Sequence, residues 1–262
     1  MSWYDDLCEY YNVEPEKALE LGTRARGRKP SLPESKTCQS VSDMTYEDIW
    51  ESKPRKTIQE VFNFYKDQGA WSTFRQCVRH KDLVGLHMGF LKPFVKEGTH
   101  ICEYGCGVAP FSFTYLNNMP KEMSLSVSIS DVESEHFTFA KWRMDKHIKE
   151  NNLSVDLDAV PISPTQLPKY KNKLDLVLIF EVLEHVPSPV DVINNFMEQM
   201  NPECVLIENF IKTDHAHDDG PDLESAAEER DSFYKILSDN FRLVHGGGVV
   251  SSPNATRVWI KN

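Results

Sequence analysis

From residue 99 onward the chain alternates short apolar runs with longer amphipathic stretches. The runs are HICEY, LSVSIS, LDLVLIF, CVLIENF, FRLVHGG and TRVWIK. Runs of this length between turn residues predict strands, and the segments 134–150, 188–200 and 222–239 have the length and spacing of helices. LDLVLIF is apolar at nearly every position, which suits a strand covered on both faces. The pattern predicts an α/β fold: a mostly parallel sheet with helices on each side. FRLVHGG and TRVWIK lack a helix-length connection and are expected to close the sheet as an antiparallel pair.

The first hundred residues have a different texture. Segments 14–21 and 45–51 are short helical candidates. Apolar and aromatic positions recur at helical intervals over 57–68, 70–79 and 82–94, as in Val61, Phe62, Phe64, Tyr65 and Leu83, Leu86, Phe90. Residues 27–43 are rich in Pro, Ser and charge and read as a loop or arm. The break near residue 98 divides the chain into a helical cap with an arm, 1–98, and an α/β domain, 99–262.

Composition narrows the class. The chain has 262 residues, 40% hydrophobic and 26% charged, with 12 Gly and 15 Pro, so it has enough apolar surface to bury a core. No apolar run reaches the roughly 18 residues of a membrane span, and the acidic, aromatic start MSWYDDLCEYY does not look like a secretory leader. The six cysteines form no CxxC pair, which predicts free thiols and a reducing, cytoplasmic setting. Net charge is −11, and the excess lies entirely in 99–262, with 14 basic against 25 acidic residues, while 1–98 holds 15 of each. Such a body repels phosphodiester backbones, although Arg24, Arg26, Arg28 and Lys29 form a short basic run.

The chemistry concentrates at the ends of the predicted strands. After HICEY comes Glu103-Tyr-Gly105-Cys106-Gly107-Val-Ala109, then Pro110 and FSFTYL. Glycines in a strand-to-helix turn allow a sharp reversal and let a ligand approach backbone amides. SLSVSIS leads to Asp131, and an acid at the tip of the second strand can accept hydrogen bonds from both hydroxyls of a ribose; Glu133 is a nearby substitute. LDLVLIFEVLEHV ends in Phe180, Glu181, Val182, Glu184 and His185.

With these three segments together, the stretch 99–262 resembles the class I S-adenosylmethionine-dependent methyltransferases, and within them the small-molecule enzymes of quinone-biosynthesis type. The resemblance implies a Rossmann-like seven-stranded sheet with one antiparallel strand, and S-adenosylmethionine as cofactor. It implies that Glu103, Gly105, Cys106 and Gly107 line the methionine end. It places Asp131 on the ribose and Phe180, Glu181 and Val182 along the border of the site. The third glycine of the family's ExGxGxG is Ala109 here, which restricts φ. The family's usual acid after the third strand falls near ISPTQLP, where Ile162 or Ser163 stands, so adenine recognition is expected to use backbone or Gln166. The family's frequent EH pair is Glu184-His185, open to a structural or a catalytic reading.

Asp214, His215, His217, Asp218 and Asp219 crowd a loop after the fifth predicted strand, at the rim where open α/β folds bind ligands. A metal site, a general base and a solvated polar loop all fit that composition. As a base, His215 or His217 competes with His185, and no metal is expected. Upstream, Trp71, Phe74, Arg75, His80, Lys81, His87 and Met88 offer groups from which a cap could select a substrate. The expected activity is methyl transfer to an oxygen, nitrogen or carbon of a small-molecule acceptor. The competing readings are a non-catalytic binding protein on the same fold and a nucleic-acid methyltransferase. The acidic body and the lack of an NPPY or DPPY tetrad after LDLVLIF oppose the latter. An NAD-binding reading lacks the third, helix-packing glycine.

Overall fold

Strands β1 (His100–Tyr104), β2 (Leu125–Val132), β3 (Val155–Ile162), β4 (Leu174–Ile179), β5 (Met200–Glu208), β6 (Phe241–His245) and β7 (Arg257–Lys261) form one sheet. Its order is β3-β2-β1-β4-β5-β7-β6. The first five strands run parallel, and β7 is antiparallel to both β5 and β6. The structure is a computed structural model that describes residues 3–16, 18, 57–67, 69–70, 72–77, 88–89, 91–212, 222–247 and 255–262. Its helices are α1 (Trp3–Tyr11), α2 (Ile58–Lys66), α3 (Pro110–Leu116), α4 (Glu135–Asn151), α5 (Pro189–Gln199) and α6 (Glu224–Asn240). The expected helix 45–51 lies outside the described residues.

Alternation along each buried strand divides the core into two layers. Ile101, Val127, Leu176, Leu178, Val205 and Ile207 face α3 and α4. Their neighbours Cys102, Val177, Ile179, Cys204 and Leu206 face α5 and α6. The continuously apolar runs of the sequence are therefore two interleaved half-faces, and each buried Val, Leu, Ile or Phe side chain contributes roughly 1.5–3 kcal/mol. Local signals set the helix starts. Ser134 accepts from the Phe137 amide at α4 and Ser188 from the Asp191 amide at α5, while Thr57 and Glu60 cap α2 reciprocally.

Two elements were not legible in the hydrophobic pattern. Strand β3 sits at the sheet edge, where Asp156 and Pro161 are exposed, and its polar sequence VDLDAVPI hides it. Helix α1 is held by rings rather than by an apolar stripe: Tyr10 lies 5.2 Å from Phe139 and 5.0 Å from Trp142, centroid to centroid. The guanidinium of Arg143, fully buried, stacks 4.0 Å from Trp3 and 3.8 Å from Phe113 and donates to the Val108 carbonyl at 2.7 Å. The N-terminal residues thus pack directly on the helix layer beside β1.

The strand order reverses between β1 and β4, which opens a crevice beyond their C-terminal ends. Gly105 shapes it, with φ +64° and a position from which a Cβ would lie 2.3 Å from Val182 Cγ2. Gly105→Ala is expected to cost about 2–4 kcal/mol through the clash and the left-handed backbone. Adding Val182→Ala should relieve the clash with the two Val182 methyls and leave about 1–2 kcal/mol of backbone cost. Urea denaturation of both variants checks this, and an unchanged midpoint for Gly105→Ala would contradict it.

Candidate functional site

The turn from β1 into α3 is built around Glu103. This residue is 3% exposed, and its two carboxylate oxygens accept from the amides of Phe111 at 3.3 Å and Ser112 at 2.7 Å, the first turn of α3. The glutamate caps the helix that Ala109 and Pro110, which lack a capping side chain, begin. Burial pushes its carboxyl up to about 7, against the pull of those amides. Gly107 has φ +52° and Ala109 keeps φ +49°, so the alanine adopts the left-handed conformation that a glycine would take there.

Asp131 closes the other side of the turn. Its Oδ2 accepts from the Gly107 amide at 2.5 Å and its Oδ1 from the Val132 amide at 2.6 Å. Burial raises its carboxyl to about 6, and the two amides limit the rise. A carboxylate offers about four acceptor sites, so roughly half of its capacity remains for a ligand.

Across the crevice, Phe180 stacks on Phe111 at 4.4 Å. Glu181 stands at φ +53°, a strained conformation for a non-glycine, and its amide donates to Asn209 Oδ1 at 2.6 Å. His185 Nδ1 lies 3.1 Å from Asp222 Oδ1, and the Leu223 amide donates to the Glu184 carbonyl at 2.9 Å, tying the end of the loop after β5 to this turn. Glu184 is 3% exposed, its Oε2 has no partner, and burial pushes its carboxyl up to about 7 although His185 pulls the other way.

Glu103, Gly105, Cys106, Gly107, Asp131, Phe180, Glu181, Val182 and His185 all line one cavity of about 200 Å³. Of these, Cys106 is buried, and burial raises its thiol well above the ordinary range, so it fills space instead of reacting. Ile162 also lines the cavity, whereas Glu133 and Gln166 are exposed and do not. The Ser163 hydroxyl is engaged with Gln166 backbone in a turn. His215, His217, Asp214, Asp218 and Asp219 lie outside the described residues, as do Trp71, His80, Lys81 and His87. Phe74 is buried in the core beneath α1, and Met88 packs against the separate layer that contains Leu91 and Ile101. Among the described residues, no group of three or more His, Cys, Asp or Glu is arranged to hold a metal ion.

Sequence reasoning did not single out Gln76, His136 or Pro187, which line the same cavity, nor Asn209 and Asp222, which hold its rim. Val61, Phe62 and Tyr65 of α2 form a further wall, and only their helical spacing was visible beforehand. These residues come from six separate stretches of chain, and no local motif joins them.

The buried Glu184 gives the site a pH signature. Its folded-state value exceeds its ordinary 4.5, so the folded protein binds more protons than the unfolded chain between pH 4.5 and about 7. Stability from this group is present at low pH and is lost as pH rises through that window. Glu184→Gln should therefore gain about 2 kcal/mol on wild type between pH 5 and pH 8. Parallel urea titrations at both pH values would show no such gain if Glu184 titrated normally.

No protein-family model matches the chain. Among curated proteins it is 28% identical over 112 residues to a ubiquinone biosynthesis O-methyltransferase of Actinobacillus pleuropneumoniae serotype 5b (strain L20). That match covers 42% of this chain and 44% of the relative. The counterpart from serotype 7 (strain AP76) is 26% identical over the same length. The chain thus spans less than half the length of the curated relatives it matches. Among solved structures, the pyocyanin biosynthetic protein PhzM superposes with a TM-score of 0.52 at 12% identity, covering 79% of this chain and 62% of that one. Magnesium protoporphyrin IX methyltransferase (ChlM) of Synechocystis PCC 6803, in a structure with bound SAM, gives a TM-score of 0.49 at 17% identity over 86% of this chain and all of that one. The strand order, the reversed β7 and the crevice between β1 and β4 give this chain the Rossmann-like fold of the class I S-adenosylmethionine-dependent methyltransferases.

Proposed function

We propose that the protein transfers a methyl group from S-adenosylmethionine to a hydroxyl oxygen of a small, uncharged acceptor. The observation that carries this reading is the convergence of the Gly105–Gly107 turn, Asp131 and the Phe180–His185 segment on one cavity. The residues fit that cofactor: Asp131 keeps acceptor capacity at the tip of β2, and the buried Nε2 of His136, a residue that lines the cavity, has no protein partner. The O-methyltransferase names of the curated relatives favour oxygen over nitrogen or carbon. Carboxylates at Glu181, Glu184 and Asp222, on a body of net charge −11, disfavour anionic acceptors and nucleic acid. A non-catalytic binding protein would have no need of a paired histidine at the rim.

Bound S-adenosylmethionine supplies a methyl group on a sulfonium sulfur. Asp131 would accept from the ribose hydroxyls, and the backbone between Gly105 and Gly107 would hold the methionine end. Val61, Phe62 and Tyr65 wall the acceptor side and exclude water. In the transfer that the bound cofactor would supply, the acceptor oxygen would gain the methyl group while the bonding pair stayed on sulfur, and Nε2 of His185 would take the proton that the oxygen loses. Asp222 holds the Nδ1–H of that ring and steadies the imidazolium. Positioning supplies most of the rate, as in any transfer between two bound reactants. His215 and His217 are alternative bases by sequence, and they lie outside the described residues.

We further assign residues 1–98 as the cap that selects the acceptor, supported by the three α2 residues in the wall. Among the described residues no helix is long and apolar enough to cross a membrane, and Cys8, Cys77, Cys102, Cys106 and Cys204 are unpaired. Free thiols favour a reducing, cytoplasmic setting.

Tritium transfer from methyl-labelled S-adenosylmethionine to a panel of phenols and metabolite extracts tests the activity. No labelled product, with no calorimetric binding of S-adenosylmethionine or S-adenosylhomocysteine at millimolar concentration, would overturn it. Asp131→Ala should weaken S-adenosylhomocysteine by about 1.5–3 kcal/mol, while Glu133→Ala leaves it unchanged. His185→Gln should lower kcat roughly 10²–10⁴-fold with cofactor affinity kept. Asp222→Asn should lower kcat less and move the acid limb of the pH–rate profile to lower pH, because a carboxylate beside the imidazolium is gone. An unaltered profile in Asp222→Asn would assign the proton to another base.

A further inference from the structure

His136 stands in the first turn of α4, five positions beyond Asp131, and lines the same cavity. It is 5% exposed, and burial pulls its imidazole down to about 3, which leaves the ring neutral at physiological pH. The amide nitrogen of Gln76 lies 3.3 Å from its Nδ1. That nitrogen can only donate, so Nδ1 accepts and the single ring proton resides on Nε2. Nε2 is buried and has no hydrogen-bond partner. A neutral ring carrying an unsatisfied N–H donor thus belongs to the lining that Asp131 and Gly107 share, and an unpaired buried donor is a standing cost to the free protein.

Gln76 is itself fixed against the glycine turn. A Cβ at Gly107 would lie 2.1 Å from its Oε1, so the carboxamide rests directly on the Gly107 Cα. Gly107 in turn donates its amide to Asp131. Gln76, Gly107, Asp131 and His136 therefore form one continuous assembly, in which a residue from the helical first hundred sets the tautomer of a residue in the α/β domain. No carboxylate stands after β3 to meet an adenine amine, since Ile162 and Ser163 occupy that place. A donor at His136 gives the site a different handle on the nucleoside.

We propose that His136 is a binding residue for the nucleoside half of the cofactor, its Nε2–H donating to an acceptor atom of the ribose or purine, with Gln76 as the positioning residue that holds this tautomer. The proposal rests on the S-adenosylmethionine reading above. It accounts for a buried histidine that packing alone does not require, and it makes cofactor binding depend on the placement of the 72–77 segment.

The test compares wild type with His136→Leu and Gln76→Leu by calorimetry against S-adenosylhomocysteine and against 5′-methylthioadenosine, which lacks the amino-acid tail. His136→Leu should weaken both ligands by the same factor, about 3- to 10-fold for one lost hydrogen bond. The free variant should melt at or above wild type, because the unpaired donor is gone. A purely structural histidine would give a lower melting temperature and unchanged affinity, and that result overturns the proposal. Weakening confined to S-adenosylhomocysteine would move His136 to the amino-acid end and overturn it as well. Gln76→Leu should show a smaller loss on both ligands. If His136→Leu does not fold, ¹⁵N-histidine spectra of wild type decide: a protonated Nε2 whose resonance moves on saturation with S-adenosylhomocysteine supports the assignment, and an unmoved one overturns it. Wild type that binds neither ligand would instead defeat the proposed function, and this assignment with it. Wild type that binds while His136→Leu binds equally well defeats only the assignment.

Discussion

The carboxylate of Glu103 on the first amides of α3 is the interaction on which the crevice depends. The backbone leaves β1 at Tyr104 and must enter a helix by Pro110, through three residues with left-handed φ at Gly105, Gly107 and Ala109. Ala109 and Pro110 supply no capping side chain, so the exposed amides of α3 would be buried without acceptors. Glu103 reaches forward from the strand to satisfy two of them, at the expense of holding a carboxyl in a dry environment. With the helix start fixed, the turn presents the Gly107 amide to Asp131 on one side and the Cα atoms of Gly105 and Gly107 to Val182 and Gln76 on the other.

The same economy of polar groups governs the far wall. Glu181 keeps a strained backbone because Asn209 accepts its amide, and the segment that follows is tied to the approach to α6 through Glu184, Leu223 and the His185–Asp222 pair. Two carboxyls that line the cavity, Glu103 and Asp131, and a third in the turn next to His185, Glu184, are all displaced upward by burial. Perturbed acids gathered in a crevice are characteristic of ligand sites, where the fold accepts a cost in stability to keep polar groups available.

Motif residues supply only part of the cavity's lining. Helix α2 contributes Val61, Phe62 and Tyr65, and the 72–77 segment contributes Gln76. Helix α1 locks the neighbouring layer through the rings that enclose Arg143, whose remaining hydrogen bond holds Val108 in the turn itself. The N-terminal residues therefore act on the crevice both directly, as wall, and indirectly, through the helix that follows Asp131.

The sequence by itself determined the α/β class, four of the five parallel strands, the closing antiparallel pair and the residues of the two strand-end motifs, because burial on both faces writes continuous apolar runs and glycine writes sharp turns. It also placed Asp131 at the end of β2, through the periodic run that precedes it. It could not register β3, whose edge position leaves acids and a proline along the strand, or α1, which aromatic rings hold without an apolar stripe. Only the tertiary structure decided that Glu103 caps a helix, that His185 meets Asp222 thirty-seven positions later, and that Gln76 meets His136 sixty positions later. Such pairs are made where separate stretches of chain meet beyond the C-terminal ends of the strands, and no spacing along the chain encodes which polar group will find another once the apolar layers have closed around them.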